Sequence, residues 1–427
     1  MVAGGGPPPP PVDTLAAHAV YGADTAFPRA EAVHALLVVL RRMPMLVHDS
    51  VAALRAFGEM ISHTHEGQYA LIVQLLEACL SEERRERDGA LQCLVPLDLT
   101  ELEFSPALWL AMHSDLAPLA SQIWTENALD VPSTYVSSLV PLLQHAHAYV
   151  RTSAARAVGA ACALHPDTLG ALLEALRMLY HAENYSLAPE YDQYGMVIES
   201  TLGREDPWHV RVAVARAIEA SAPSFRAADV VPFFVFALQP GTALSDRHEA
   251  VRHAMLEASS AVIDARGDDV LSELLSQLEA SLESEHDAVT EAAVVLLGRA
   301  ARYLPADSAH VRRVVERLLS ALRTPSELVQ EAVASCLPAL VRASAAAKDV
   351  PSIVDRLFVD LLHGDKYATR RGAAYGLAGV VKGRGVSAIR ELRILARLSE
   401  AAHDTSTTTT RQGALFAYEL LASTLHV

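Results

Sequence analysis

Aromatic residues are scarce in this chain, 6% of 427 positions, although 51% of the residues are hydrophobic. Ala, Leu and Val carry the apolar content, which suits closely packed helices rather than sheet faces and excludes an all-β sandwich. Cysteine is sparse too. The four present, Cys79, Cys93, Cys162 and Cys336, lie far apart with no CxxC pair. That excludes a disulfide framework and a cysteine zinc site, and suits small buried hydrophobes of a reducing compartment. Basic residues are in deficit, 35 Lys and Arg against 51 Asp and Glu, for a formal charge of −16. A surface that binds nucleic acid or an acidic membrane throughout is excluded, and any such contact is local.

Long apolar runs are absent: Val230 to Leu238, among the longest, is far short of the roughly 20 residues of a spanning helix. Met1 to Pro11 is rich in Gly and Pro and has neither the basic start nor the apolar stretch of a signal peptide. The reading is a soluble, cytoplasmic protein with no membrane or DNA partner. The motifs of chemistry are missing as well. No Gly-x-Gly-x-x-Gly after a strand, Gly-Lys-Ser/Thr, His-Glu-x-x-His or Gly-x-Ser-x-Gly occurs. His63-Thr64-His65-Glu66 offers potential ligands but no second cluster at metal spacing. Gly376, Gly379, Gly383 and Gly385 resemble a phosphate-binding loop, yet the first two lie inside a helical pattern, where small residues permit close helix packing, and Gly383 to Gly385 supply a helix stop. No catalytic, cofactor or metal residue is assigned, and an enzyme is not expected.

What the chain has is repetition. A polar turn, a small or β-branched residue, often an Arg, and then Ala and Leu at helical spacing recur together. Clear copies are His147-Ala148-Tyr149-Val150-Arg151, Asp206-Pro207-Trp208-His209-Val210-Arg211 and Asp246 to Arg252. Anchored on the residue before each Arg-type position, the copies fall at 150, 210, 251, 289, 329, 369 and 410, at intervals of 60, 41, 38, 40, 40 and 41 residues. A period of about 40 with two helices per unit is that of HEAT/armadillo repeats. One unit shows the pattern inside: apolar positions 311, 314, 315, 318, 319 and 322 make one face of a first helix, Arg323 to Ser326 a turn, and Glu327 to Val341 a second helix carrying Val329, Val333, Ala334, Cys336, Leu337 and Leu340. Thr324 is the expected cap.

The fold class expected is all-α, an α-solenoid of HEAT/armadillo-type helix pairs, some eight to ten in number. Its organisation reads as a low-complexity start over 1–12, irregular HEAT-like helices over 13–145, and a regular array over 146–427 with a loop insertion at 180–205. Where Asp and Arg share the phrase, as at Asp206 with Arg211 and Asp246 with Arg252, the guanidinium is expected to bridge to the Asp of a neighbouring turn and link adjacent repeats. One span breaks the acidic balance: from Asp365 to Arg411 there are nine bases against four acids. Lys366, Arg370, Arg371, Lys382, Arg384, Arg390, Arg393 and Arg411 are therefore candidate contacts to phosphates, aligned along one ridge of successive helix starts.

The segment Asp365-Lys366-Tyr367-Ala368-Thr369-Arg370-Arg371-Gly372-Ala373-Ala374-Tyr375-Gly376-Leu377-Ala378-Gly379-Val380-Val381-Lys382-Gly383 resembles the general-control translational activator family. Arg411-Gln412-Gly413-Ala414-Leu415-Phe416-Ala417-Tyr418-Glu419-Leu420-Leu421 and Val329-Gln330-Glu331-Ala332-Val333-Ala334-Ser335-Cys336-Leu337-Pro338 resemble flanking repeats of the same family. The resemblance is specific from about residue 246, looser but in register from about Asp88, and lost in the first eighty residues. It implies a non-enzymatic scaffold that binds ribosomes and promotes activation of the starvation-responsive initiation factor two alpha kinase. It also implies a partial chain, an internal segment just before and entering the family's elongation-factor-three-like region, with the kinase regulatory complex engaged through missing segments. Other scaffolds share the period: a tubulin-binding TOG array, which wants Trp and Lys in the turns of one edge as Trp208 is, or a transport-receptor solenoid.

Overall fold

The computed structural model describes residues 29–61, 68–189, 193–194, 196–198, 203–304, 309–342, 349–404 and 408–425. The Gly/Pro-rich start, His63 to Glu66, part of the 180–205 segment and the end of the chain at His426 and Val427 lie outside them. The described residues hold twenty-one α-helices and no strand element. They fall into two compact units, Met1–Ser221 and Ala222–Val427.

In the first unit the helices are α1 (Arg29–Arg42), α2 (Val47–Ile61), α3 (Gln68–Ala78), α4 (Arg84–Leu94), α5 (Pro106–Met112), α6 (Ala117–Glu126), α7 (Val136–Leu139, continued as a 3-10 turn to Gln144), α8 (Ala148–Leu164), α9 (Leu169–Ala182) and α10 (Trp208–Ser221). In the second they are α11 (Ala227–Ala237), α12 (Glu249–Arg266), α13 (Leu271–Ser281), α14 (Asp287–Ala300), α15 (Ala309–Ala321), α16 (Glu327–Arg342), α17 (Val350–His363), α18 (Tyr367–Arg384), α19 (Ser387–Glu391), α20 (Ile394–Ala402) and α21 (Thr408–Leu425). Consecutive helices pair, and the second helix of each pair packs on the second helix of the next within its unit. Each unit is thus a stack of HEAT-type helix pairs, the all-α solenoid class.

The 3.6-residue pattern decides what is buried. On α15 and the turn after it, Val311, Val314, Val315, Leu318, Leu319 and Leu322 are all buried, the six positions of the apolar face. Each such side chain contributes on the order of 1.5–3 kcal/mol when removed from water. On α16 the pattern is only partly followed: Ala334 and Cys336 are half-buried, while Gln330, Ala332, Pro338 and Val341 are buried. The reason is that a second helix has two covered faces, one on its own partner and one on the neighbouring second helix. Cys336 faces the latter, where a Cβ on Gly298 of α14 would lie 2.5 Å from its sulfur. The α16 start also differs from expectation. Ser326, rather than Thr324, sits beside the Val329 N–H, at 3.5 Å.

Glycine sets how closely second helices approach. On α18 a Cβ at Gly372 would fall 1.9 Å from the Leu322 carbonyl oxygen, at Gly379 2.9 Å from the Ala334 carbonyl oxygen, and at Gly383 2.8 Å from the Pro338 Cα. The glycines of the phosphate-loop lookalike are therefore packing positions. Gly385 ends the helix at φ +84, its N–H donating to Val381 O at 2.8 Å. Thr408 to Thr410 open α21.

Candidate interaction surface

The fourth residue of the second helix performs one task in most repeats. Arg87 donates from Nη1 to Ser81 O and Glu82 O at 2.9 and 2.7 Å. Arg151 reaches His145 O and Ala146 O at 2.7 and 2.6 Å, Arg252 reaches Asp246 O and Arg247 O at 2.8 and 3.3 Å, and Arg370 reaches Gly364 O and Asp365 O at 2.7 and 3.3 Å. Gln330 does the same with its amide, to Thr324 O at 2.8 Å and Leu322 O at 3.0 Å. The carbonyls that end a first helix and form the turn have no intrahelical donor, so a long donor side chain on the next helix satisfies them.

Asp206 and Arg211 are a variant of this device. The Arg211 Nη1 donates to Asp206 Oδ1 at 2.7 Å and to Glu183 O at 2.8 Å, with the guanidinium wholly buried. Asp246 contributes its Oδ1 to the His248 N–H at 2.8 Å. All four expected ladder residues make bonds within their own turn. Links between repeats include Arg313 to Glu279 at 2.5 Å, Arg317 to Glu283 at 2.8 Å, Arg356 to Glu316 at 2.5 Å and Arg397 to Asp355 at 2.7 Å from first helices, and Arg371 to Glu327 at 3.0 Å on second helices. Their spacings of 34 to 44 residues match the repeat length, the signal that would have found them. The exposed pairs among them, such as Arg317 with Glu283, add about 0–1 kcal/mol each.

The eight candidate contact bases do not form one ridge. Arg370 is buried in its turn and also donates to Gln412 Oε1 at 3.1 Å. Arg371 is held by Glu327, by Gln330 Oε1 at 2.9 Å and by Pro325 O at 2.8 Å. Lys366 and Arg411 are exposed at the starts of α18 and α21. Lys382, Arg384, Arg390 and Arg393 are exposed at the opposite end of α18 and in the short segment after it, roughly 25 Å away along an eighteen-residue helix. The periodic phrase marks helix starts only, so it could not separate these two ends.

The distal group is the coherent one. Among the described residues Lys382, Arg384, Arg390 and Arg393 form no ion pair. Arg342 joins them, donating from Nε to Gly383 O at 3.1 Å. Arg393 holds φ +52, a left-handed conformation unusual for a non-glycine residue. The α18 C-terminus favours nearby cations through its dipole, yet five bases there exceed what that one helix end needs. The surface is cationic in character.

Burial explains the shifted groups elsewhere. It pushes the Cys79 and Cys93 thiols up to about 12 and Cys336 to about 11. His113, His145 and His209 are lowered, first by burial and then by nearby cations, Arg156 beside His113, His147 and Arg151 beside His145, and Arg151 beside His209. A concavity of about 570 Å3 in the first unit is lined by His34, Glu77, Glu82, Glu83, His145 and His147 among others. Its Glu86 is already held by Arg41 at 2.6 Å and Ser81 at 2.5 Å. Among the described residues no His, Cys, Asp or Glu group could hold a metal ion, and no helix is long and apolar enough to cross a membrane.

Residues 98–302 match the family described as "Stalled ribosome sensor GCN1, HEAT repeats", and the chain is 35% identical over 318 residues to the Stalled ribosome sensor GCN1 of Homo sapiens. The chain belongs to the GCN1 HEAT-repeat family. That human alignment covers 73% of this chain and 12% of its relative. The eIF-2-alpha kinase activator GCN1 of Saccharomyces cerevisiae is 30% identical over 427 residues, 97% of this chain and 16% of that protein. Protein ILITYHIA of Arabidopsis thaliana is 32% identical over 372 residues, 84% of this chain and 13% of that protein. The chain therefore spans about an eighth to a sixth of the GCN1 relatives it matches. In solved structures it is similar to the karyopherin Kap121p bound to the extreme C-terminus of the protein phosphatase Cdc14p, with TM-score 0.50 and 12% identity over 97% of this chain and 46% of that one. At that identity the likeness shows the fold alone.

Proposed function

We propose that this chain is a non-enzymatic GCN1-type HEAT scaffold that contacts ribosomes in the cytoplasm and helps promote activation of the initiation factor two alpha kinase. The relatives are named as a stalled ribosome sensor and as a kinase activator, not by a reaction. The kinase regulatory complex is the second partner, engaged through other segments of the longer relatives. The observation that carries the reading at residue level is the unpaired edge of Lys382, Arg384, Arg390 and Arg393, a group suited to RNA phosphates, whose binding depends on salt through counterion release.

Contacts along a repeat array add weakly over many residues, so no single base dominates. The test reverses the group together. Sucrose-gradient sedimentation with purified ribosomes is expected to show the K382E/R384E/R390E/R393E variant leaving the ribosomal fractions at a salt concentration where the unaltered chain remains. Helicity is checked by circular dichroism. Equal sedimentation of both would remove the edge as the contact.

A further inference from the structure

A serine stands in the middle of the basic edge at the end of α18, in a setting that no other hydroxyl of the chain shares. In Lys382-Gly383-Arg384-Gly385-Val386-Ser387 a base lies five residues and another three residues before the serine, and no other serine or threonine has a base at both positions. Arg317 and Arg323 stand three residues before Ser320 and Ser326, but the residues five before are Val315 and Ala321. Those two hydroxyls are also engaged, Ser320 donating to Glu316 O at 3.0 Å and Ser326 lying 3.5 Å from the Val329 N–H.

The fold presents Ser387 to solvent. Gly385 breaks α18 at φ +84, and Val386 and Ser387 after it are both exposed, Val386 by 65%. Among the described residues the Ser387 side chain makes no hydrogen bond. The helix that opens at Ser387, α19, is five residues long, too short to persist by its own hydrogen bonds. Its first turn is held by the Ala388 N–H on Gly385 O and the Ile389 N–H on Val386 O, each at 3.1 Å. Opening that turn presents the segment from Gly383 to Ser387 in extended form, a local event that leaves the eighteen residues of α18 in place. Ala388 and Ile389 are buried and anchor the far side.

We propose that Ser387 is a phosphorylation site for a serine kinase that selects bases three and five residues before the hydroxyl, and that its phosphate weakens anion binding by this edge. Kinases and their substrates recognise one another through such charge patterns. The γ-phosphoryl group of ATP passes to Ser387 Oγ: the Oγ–P bond forms, the bond from the γ-phosphorus to the β,γ-bridging oxygen breaks, ADP leaves, and the hydroxyl proton goes to the catalytic Asp of the kinase. Lys382, Arg384, Arg390 and Arg393 less Glu391 sum to +3, and a phosphoserine adds about −1.5 to −2 at neutral pH, which leaves about +1. Arg390, three residues on in α19, lies on the same helix face as Ser387. A guanidinium there pairs with the new phosphate and is withdrawn from any outside ligand. The modification stands on the sequence and the exposed turn, whereas its effect on ribosome contact rests on this edge being that contact.

The test treats the full chain with ATP and a purified serine kinase selective for bases at those two positions. Peptide mass spectrometry is expected to place a phosphate on Ser387 of the folded chain, with none at that position in S387A and labelling roughly tenfold slower in R384A. The phosphorylated chain is expected to bind a short, unstructured, labelled RNA about tenfold more weakly in fluorescence anisotropy, with the slope of log affinity against log salt reduced by about 1.4, two phosphate contacts at about 0.7 each. Kinase-treated S387A is expected to match the untreated chain. A folded chain that acquires no phosphate on Ser387 would overturn the proposal, and so would phosphate on Ser387 with affinity and slope unchanged. Phosphorylation that weakens RNA binding while neither form sediments with ribosomes would uphold the switch and remove the ribosome contact alone.

Discussion

The guanidinium of Arg211 has no solvent exposure and closes on the Asp206 carboxylate at 2.7 Å, while its second bond from Nη1 satisfies Glu183 O at 2.8 Å. A residue at the start of one helix thereby fastens the end of the helix before it, across a connection of twenty-five residues. Replacing Arg211 with Ala leaves Asp206 and the Glu183 carbonyl without this donor. Breaking such a buried pair costs roughly 3–5 kcal/mol. All three tryptophans, Trp109, Trp124 and Trp208, lie in the first unit, so urea unfolding followed by tryptophan fluorescence reads that unit. The R211A midpoint is expected to fall sharply. Asp206→Asn, which keeps a hydrogen-bond acceptor, is expected to fall less.

Close approach of α18 to its neighbours predicts the cost of a single methyl group. Gly372→Ala would set a carbon 1.9 Å from the Leu322 carbonyl oxygen, a backbone atom that cannot rotate away. Overpacking of this kind costs about 1–3 kcal/mol or more. Far-UV circular dichroism in urea is expected to show an earlier transition for G372A, whereas Gly170→Ala on α9, where an added Cβ meets nothing within 4 Å, is expected to be neutral or slightly stabilising. Equal losses at both positions would contradict the packing argument.

The thiols offer a simple readout of packing. Cys79 and Cys93 are buried and pushed up to about 12, and only the thiolate is nucleophilic. Alkylation at pH 8 is expected to leave both unmodified in the native chain and to label both in urea, as read by peptide mass spectrometry. Rapid native labelling of either would show that α3 and α4 do not pack as described.

Histidine burial gives the first unit an acid sensitivity. Burial, and then Arg156, lower His113; burial followed by neighbouring cations does the same for His145 and His209. A group whose folded-state value lies below its unfolded value binds more protons when unfolded, so stability falls as pH drops through the unfolded value near 6.5. The tryptophan-monitored midpoint is expected to decrease between pH 7.5 and 5.5, and His113→Leu is expected to flatten that decrease. A midpoint that rises over the same interval would contradict the assignment.

Much of this architecture was legible because burial follows periodicity. The six apolar positions of α15 were readable one by one, and the Gly376 and Gly379 lookalike resolved into packing on helical spacing alone. Gln330 was not readable: a polar side chain with no exposure becomes intelligible only when its amide is seen to occupy the place that Arg151, Arg252 and Arg370 hold in other repeats. The basic surface was half legible for a related reason. Composition finds bases but not their partners, and Arg370 and Arg371 look like Lys382 and Arg384 until the turn carbonyls and Glu327 are placed beside them.

The central claim is that a locally unpaired basic edge on an acidic HEAT array meets the ribosome. The most direct measurement is sedimentation of the unaltered chain with purified ribosomes through sucrose gradients over a salt series. Co-migration at low salt that fades steeply as salt rises is expected. A folded, helical chain that stays at the top of the gradient at every salt concentration would contradict it.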